Sequence, residues 1–210
     1  MSTYDLEEQE QLAAMKAWWK EHGGGVALAA ILVAGAVAAW NGWVWYQRSQ
    51  AAQAAALYDT LQKAARANDL KATRETAGSI LEDYPRSAYA QLAALVSAKV
   101  LFQAGDLKTA RAQLQWVIEH AKSDEIRSIA ALRLASVLLD DKDPNAALKA
   151  LEGNPHPGFE SLYAAQRGDI FMAQDKRVEA RAAYKAALEK AEAGPLREGL
   201  RLKLEALGEG

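Results

Sequence analysis

Gly105-Asp106-Leu107-Lys108-Thr109-Ala110-Arg111-Ala112-Gln113-Leu114-Gln115-Trp116-Val117-Ile118 opens as a polar turn and continues as a helix. Its small and apolar residues Ala110, Leu114, Val117 and Ile118 recur at helical spacing and form one side. Aligned on this turn, three other segments have the same character: Asn68-Asp69-Leu70-Lys71, Lys142-Asp143-Pro144-Asn145 and Asp175-Lys176-Arg177-Val178. The four starts lie 37, 37 and 33 residues apart, and a segment of helical periodicity precedes each turn as well as following it. The repeating unit is therefore a pair of helices.

A period in the middle thirties with two helices per unit is that of tetratricopeptide repeats, and the chain resembles that family. In the last unit Gly168 and Phe171 stand where the first helix of such a repeat carries its glycine and aromatic, followed by Ala180, Tyr184, Ala187 and Leu188 in the second. Pro85 lies 17 residues after Asn68, where the family places its closing proline, and Ala147 and Leu148 serve the third unit. The turn glycine is kept only at Gly105, and Thr73 replaces a small alanine in the first unit, so units one and three match least well. An alanine at the helix crossing admits close approach, while larger apolar residues three and four positions on fill the groove. The resemblance implies a right-handed superhelix whose concave face is lined by the first helix of each pair. Distance from the turns then points Tyr58, Gln62, Lys99, Phe102, Gln103, Leu139 and Met172 inward. The apolar residues among them fit the core between repeats equally well.

Breakers fall between units at Tyr84-Pro85-Arg86-Ser87, Lys122-Ser123-Asp124 and Gly153-Asn154-Pro155-His156-Pro157-Gly158. After Gly194-Pro195, the residues Leu196, Leu200, Leu204 and Leu207 make a single apolar stripe, the pattern expected of a helix that caps the last repeat. The expected fold is all-α: an α-solenoid of about four helix pairs with a C-terminal capping helix.

Ahead of the repeats, Gly23 to Gln47 contains no charge and no histidine. As a helix, Val26 to Tyr46 is about 31 Å long, matching a hydrocarbon layer of roughly 30 Å. Five of the six tryptophans mark the ends of this run, with Trp18 and Trp19 before it and Trp40, Trp43 and Trp45 at its exit, as expected of rings that prefer the headgroup layer. A single transmembrane helix follows. Small-x-small triplets at Ala34-Gly35-Ala36 and Ala36-Val37-Ala38 resemble cleavage sites, but a secretory leader begins short and positive. Here 22 residues with five acids and two lysines precede the run, which favours an uncleaved anchor.

Lys16 and Lys20 on one side of the anchor face Arg48, Lys63 and Arg66 on the other, so charge counting leaves its orientation open. Its Val, Leu and Ile residues contribute about 2 to 4 kcal/mol in total to insertion, a tether of moderate strength. Ala30, Ala34, Ala38 and Gly42 form a stripe along which another helix can approach closely; an alanine-rich helix also produces such stripes by chance. Leu12, Met15, Trp18 and Trp19 share one helical face, which fits either a helix on the membrane surface or the first turns of the anchor. The expected division is residues 1–22 as N-terminal segment, 23–47 as anchor and 48–210 as repeat domain.

Of 25 basic and 27 acidic residues, two lysines and five acids precede the anchor, leaving the remainder near electroneutral. Nothing in that balance attracts nucleic acid, and proteins are the expected partners. The absence of cysteine excludes disulfides and thiolate zinc sites. His22, His120 and His156 are scattered, and no metal-ligand spacing or phosphate loop is present. Glu82-Asp83 and Asp140-Asp141 read as solvated acids at helix ends, and His156, between two prolines, as a surface-loop residue. Neither catalysis nor a cofactor is expected.

Taken together, the start of the chain (Tyr4-Asp5-Leu6-Glu7-Glu8-Gln9, then Met15-Lys16-Ala17-Trp18-Trp19-Lys20-Glu21-His22-Gly23), the uncharged helix, the exit at Trp40 and Trp43 and the repeats are similar to the YfgM family. Its members are ancillary subunits of the bacterial SecYEG translocon. The resemblance implies a single-pass protein of the inner membrane with a cytoplasmic N-terminus and periplasmic repeats. It further implies association with the translocon and with the periplasmic chaperone PpiD, and binding of secreted or membrane polypeptide clients. A regulatory tether that acts in a stress response through the cytoplasmic N-terminal segment is the alternative the resemblance leaves open.

Overall fold

The computed structural model describes residues 4–208, of which residues 4–9 are described by their backbone alone, so the side chains of the Tyr4-to-Gln9 motif lie outside the description. Among the described residues there are nine helices and no strands. They are α1 (Tyr4–Arg66), α2 (Leu70–Asp83), α3 (Ala88–Gln103), α4 (Leu107–His120), α5 (Asp124–Asp140), α6 (Pro144–Ala150), α7 (Glu160–Ala173), α8 (Arg177–Lys190) and α9 (Pro195–Ala206). The chain divides into two compact units, Met1–Gln50 and Ala51–Gly210.

In the first unit, α1 is long and apolar enough to cross a membrane. Val26, Leu28, Ile31, Leu32, Val33, Val37 and Trp40 project in all directions around it, and every one is exposed. A core helix of a soluble domain buries at least one such side, so this helix fits a single-pass membrane anchor. It is longer than the uncharged run, because helix-forming Ala, Gln, Glu, Lys and Leu continue on both flanks and no proline interrupts before Pro85.

The second unit is a solenoid of four helix pairs: the end of α1 (51–66) with α2, α3 with α4, α5 with α6, and α7 with α8. One turn geometry joins all four. The residue at the head of each aligned turn takes a left-handed backbone, with φ of 52° at Asn68, 82° at Gly105, 62° at Lys142 and 61° at Asp175. The next amide reaches back to close the preceding helix: Asp69 to Ala64, Asp106 to Leu101 and Asp143 to Leu138, each at 2.9 or 3.0 Å, and Lys176 to Phe171 at 2.9 Å. This is the Schellman closure, and the residue completing it also starts the next helix. Asp69, Asp106 and Asp143 cap that helix by accepting from the amides of Ala72, Thr109 and Ala146 at 3.0, 3.1 and 3.0 Å. Lys176, in the fourth turn, supplies no such cap.

The core repeats with the turns. Thr73, Ala110, Ala147 and Ala180, five residues after the left-handed position, are fully buried, as are Ala77, Leu114, Leu151 and Tyr184 one helical turn later. Val100, Val137 and Ile170 face the preceding repeat from α3, α5 and α7, whereas the corresponding residue of the first repeat is the exposed Lys63. The solenoid thus begins on a polar face. It ends under α9, whose Leu200 is buried and whose Leu204 and Leu207 are half-buried against the α7/α8 pair, while Leu196 stays at the exposed margin of the expected stripe.

The two weaker units differ in outcome. The first is regular, with a second helix as long as α4 and α8, and it absorbs Thr73 with a hydroxyl that has no hydrogen-bond partner among the described residues. The third is cut short: α6 spans 7 residues where its counterparts span 14, since Gly153, Pro155 and Pro157 cannot continue a helix.

Candidate functional site

On the first helix of each pair, one side contacts the second helix and another the preceding repeat, which leaves a third free of the core. Relative to the left-handed turn residue, this free side is centred two, six, nine and thirteen residues upstream, positions about one or two helical turns apart. In α3 these are Gln103, Lys99, Val96 and Leu92, of which Val96 is half-buried against the core of the first repeat and the other three are exposed. Lys99 and Gln103 are exposed, and Gln62, in register with Lys99, is half-buried and accepts a hydrogen bond from Arg66 at 3.2 Å.

The other residues expected to line a groove sit at its margin. Phe102, Leu139 and Met172 occupy one register position, three residues before each turn, with Ala65 as the equivalent in the first pair. Their side chains are half-buried: Phe102 and Leu139 lie against the core of the middle repeats, and Met172 against the core under the cap. Tyr58 is also half-buried, beside Leu61, with its ring 5.6 Å from that of Tyr89. Each of these apolar residues thus packs in part against the core and keeps part of its surface exposed. By the same register the face carries Asp59, Arg66 and Lys99 in the first two repeats and Arg133, Asp140 and Asp169 in the last two, charges of both signs along its length.

A residue cluster at the far end of this face was not foreseen. In α7, Gly168 carries no Cβ, and the ring of Tyr184 occupies the space, so that a Cβ there would lie 2.4 Å from it. The phenol of Tyr184 passes across α7 and donates to Asp169 at 2.6 Å, and Lys203 of α9 reaches the same carboxylate oxygen at 2.5 Å. Burial and then the neighbouring Asp169 carboxylate push the Tyr184 phenol well above its ordinary pKa, so it remains a proton donor. Lys203 also lies 5.3 Å from the centre of the Tyr184 ring. Asp169 therefore ties the cap to the free face. Helical periodicity on any one element gives no sign of this, because the three residues come from three helices.

At the turn of the second repeat, Asp106 accepts from the hydroxyl and amide of Thr109 and from Arg74 of the preceding repeat at 2.6 Å, which holds its carboxyl below the usual carboxylate range. The three histidines lie apart: His22 stacks on Trp18, His120 stacks on Trp116 at 4.5 Å, and His156 sits in the loop after α6. His156 is half-buried rather than on the surface, because its amide donates to Ser128 at 2.9 Å and draws the loop inward. Glu82, Asp83, Asp140 and Asp141 are exposed, as expected. Ala30, Ala34, Ala38 and Gly42 lie along the exposed helix of the first unit, and a Cβ on Gly42 would meet nothing within 4 Å.

The model of the tetratricopeptide repeat-like domain family matches residues 16–209. Among curated proteins, the ancillary SecYEG translocon subunit of Neisseria gonorrhoeae is 34% identical over 207 residues, covering 96% of this chain and 98% of its own. That of Haemophilus influenzae is 31% identical over 184 residues, covering 88% and 90%, and that of Escherichia coli 27% over 200 residues, covering 95% and 96%. With the anchor helix and the repeats both inside these alignments, the chain belongs to the family of ancillary SecYEG translocon subunits, built on tetratricopeptide-like repeats.

Proposed function

We propose that the chain is a non-enzymatic scaffold of the bacterial inner membrane that associates with the SecYEG translocon and hands emerging polypeptides to periplasmic chaperones, PpiD among them. One observation carries the reading: a single chain joins a membrane-length helix with apolar residues exposed on every side to a four-pair solenoid whose first helices keep one face free of the core. The relatives' shared name supports the association with the translocon. In this arrangement the N-terminus is cytoplasmic and the repeats are periplasmic. The tether confines the free face to a shell next to the membrane, which raises its effective concentration for chains emerging there. The face mixes Lys99, Gln103 and Gln62 with the apolar margins of Tyr58, Phe102, Leu139 and Met172, a composition suited to polypeptides. The stripe of Ala30, Ala34, Ala38 and Gly42 is the docking side for translocon helices.

The test is purification in mild detergent with mass spectrometry of what co-purifies, comparing the native chain with one whose residues 23–47 are replaced by an unrelated membrane helix. Translocon subunits and PpiD accompany the native chain, and the translocon is lost on replacement. Recovery of neither with the native chain overturns the scaffold reading. Lys99→Glu with Gln103→Glu, both exposed, lowers recovery of clients about tenfold, as the loss of one good contact does, and leaves the translocon in place. Unchanged recovery of every partner with the fold intact overturns the assignment of the face.

A further inference from the structure

We infer that Lys99 of α3 and Arg133 of α5 form one anion-binding point in the middle of the free face, filled by an aspartate or glutamate side chain of a bound polypeptide. The inference rests on the reading of that face as a client surface and names the class of client. The far end of the face shows the same arrangement already filled. Arg127 and Arg197 each donate to the carbonyl that ends the preceding helix six residues back, Ala121 at 2.9 Å and Ala191 at 2.7 Å. Counted from that common point, Leu200, Leu204 and Leu207 of α9 hold the places of Ala130, Leu134 and Val137 of α5, and all six are buried or half-buried. The cap is thus in register as a fifth first helix, and Lys203 stands where α5 has Arg133. Lys203 reaches back to Asp169 of α7, six residues before the left-handed turn residue, and that carboxylate accepts from Lys203 at 2.5 Å and from the Tyr184 phenol at 2.6 Å.

In the middle of the face the same two register positions hold two cations. Arg133 reaches back to α3 as Lys203 does to α7: its Nη1 donates to the Leu95 carbonyl at 3.4 Å, the carbonyl onto which the Lys99 amide closes within the helix. The guanidinium therefore lies at the root of the Lys99 side chain, which takes the place that Asp169 has in α7. Both residues are exposed, and among the described residues neither has an ion pair. The other acids of the face stand apart: Asp140 is seven residues on from Arg133, about 10 Å along the helix axis, and Asp59 of α1 pairs with neither cation. Two like charges held side by side without a counter-charge attract an anion, and a carboxylate between them accepts a charge-assisted hydrogen bond from each. Val96 and Leu92 follow Lys99 one and two turns back along α3, half-buried and exposed in turn, so apolar surface adjoins the cations. A polypeptide segment that carries an acid beside apolar residues meets both at once.

The test is fluorescence anisotropy with the full-length protein in detergent and labelled peptides capped at both ends, identical except that two central positions carry glutamate, glutamine or lysine. The glutamate peptide is expected to bind about tenfold more tightly than the glutamine peptide at low salt, with the lysine peptide weakest, and the preference shrinks as salt is raised. Lys99→Gln with Arg133→Gln removes the preference and leaves the affinity for the glutamine peptide unchanged, while Lys99→Glu with Arg133→Glu turns it toward the lysine peptide. Equal binding of all three peptides by the native chain overturns the inference and leaves the client face standing, whereas binding of none overturns both. A preference that survives in both double variants, with their circular dichroism unchanged, belongs to another part of the chain and overturns the assignment to this pair. Loss of the preference on adding phosphatidylglycerol to the micelles gives the pair to a lipid headgroup and overturns the polypeptide occupant.

Discussion

The same substitution, glycine to alanine inside a helix, is expected to act with opposite sign at two places in this chain. At Gly78 in α2 an added Cβ meets nothing within 4 Å, so Gly78→Ala changes only the intrinsic helix preference and stabilises by about 0.8–1.0 kcal/mol. At Gly168 in α7 the same gain is available, but the Cβ would lie 2.4, 2.5 and 2.9 Å from three atoms of the Tyr184 ring. That ring is 3% exposed and has no open space to enter. If it shifts, the phenol loses its 2.6 Å hydrogen bond to Asp169. Overpacking costs about 1–3 kcal/mol, and loss of a hydrogen bond to a charged group about 1.5–3 kcal/mol. The two are alternatives in part, so after the helix gain is subtracted Gly168→Ala destabilises by about 1–3 kcal/mol. Thermal unfolding of the full chain in detergent, followed by far-ultraviolet circular dichroism, resolves the difference, since each kcal/mol moves the midpoint by about 2–4 °C at this size. Repeating Gly168→Ala in a Tyr184→Ala background removes the obstacle and returns the gain seen at Gly78. The reasoning is refuted if Gly168→Ala raises the midpoint with Tyr184 in place.

Three further outcomes are expected. Lys142 holds φ at 62°, where a side chain costs about 1–2 kcal/mol; Lys142→Gly relieves this at the expense of a more flexible unfolded chain, and a net rise of about 0.5–1 kcal/mol is expected in urea unfolding. Lys176→Asp gives α8 the cap that the other three turns possess and stabilises by about 1 kcal/mol, seen as slower amide exchange in the first turn of α8. The Asp106 carboxyl is held low in the folded state, so its contribution is full above its unfolded value near about pH 4 and is lost as pH falls through the lower folded value. Asp106→Asn therefore lowers the unfolding midpoint at neutral pH and flattens its decline on acidification below about pH 4.

The turns were the most legible part of the sequence. Asn68, Gly105, Lys142 and Asp175 align by spacing alone, and all four take the left-handed backbone although only one is glycine. The constraint is set by the Schellman closure, and Asn and Asp tolerate that conformation through their short polar side chains. The free face was half legible: a position counted back from the turn places Lys99 and Gln103 in solvent but cannot say how deeply Phe102 or Met172 sinks, which depends on what the next repeat presents. The Gly168, Tyr184, Asp169 and Lys203 cluster was hidden for the same reason, although Gly168 itself was visible as a small residue where a helix crosses closely. The first repeat, one of the two weaker matches in sequence, is regular in structure, since a buried Thr73 costs little in shape even with a hydroxyl that has no partner among the described residues.

In each helix pair the residue that finishes closing one helix also starts the next, as Asp106 does between α3 and α4, so no spacer separates them. A single residue inserted at such a turn would rotate the second helix by about 100° and carry its buried side into solvent. The junctions between pairs obey no such rule. The third unit's turn lies 33 rather than 37 residues before the next, and the difference falls around the 151–159 junction: α7 begins one residue sooner after the turn than α5 does and is three residues shorter than α5, while the turn keeps the common geometry. Changes of length in this chain, whether inherited or engineered, are therefore accommodated at 84–87, 121–123, 151–159 and 191–194, where a tag or a probe can also be placed without changing the register of the repeats.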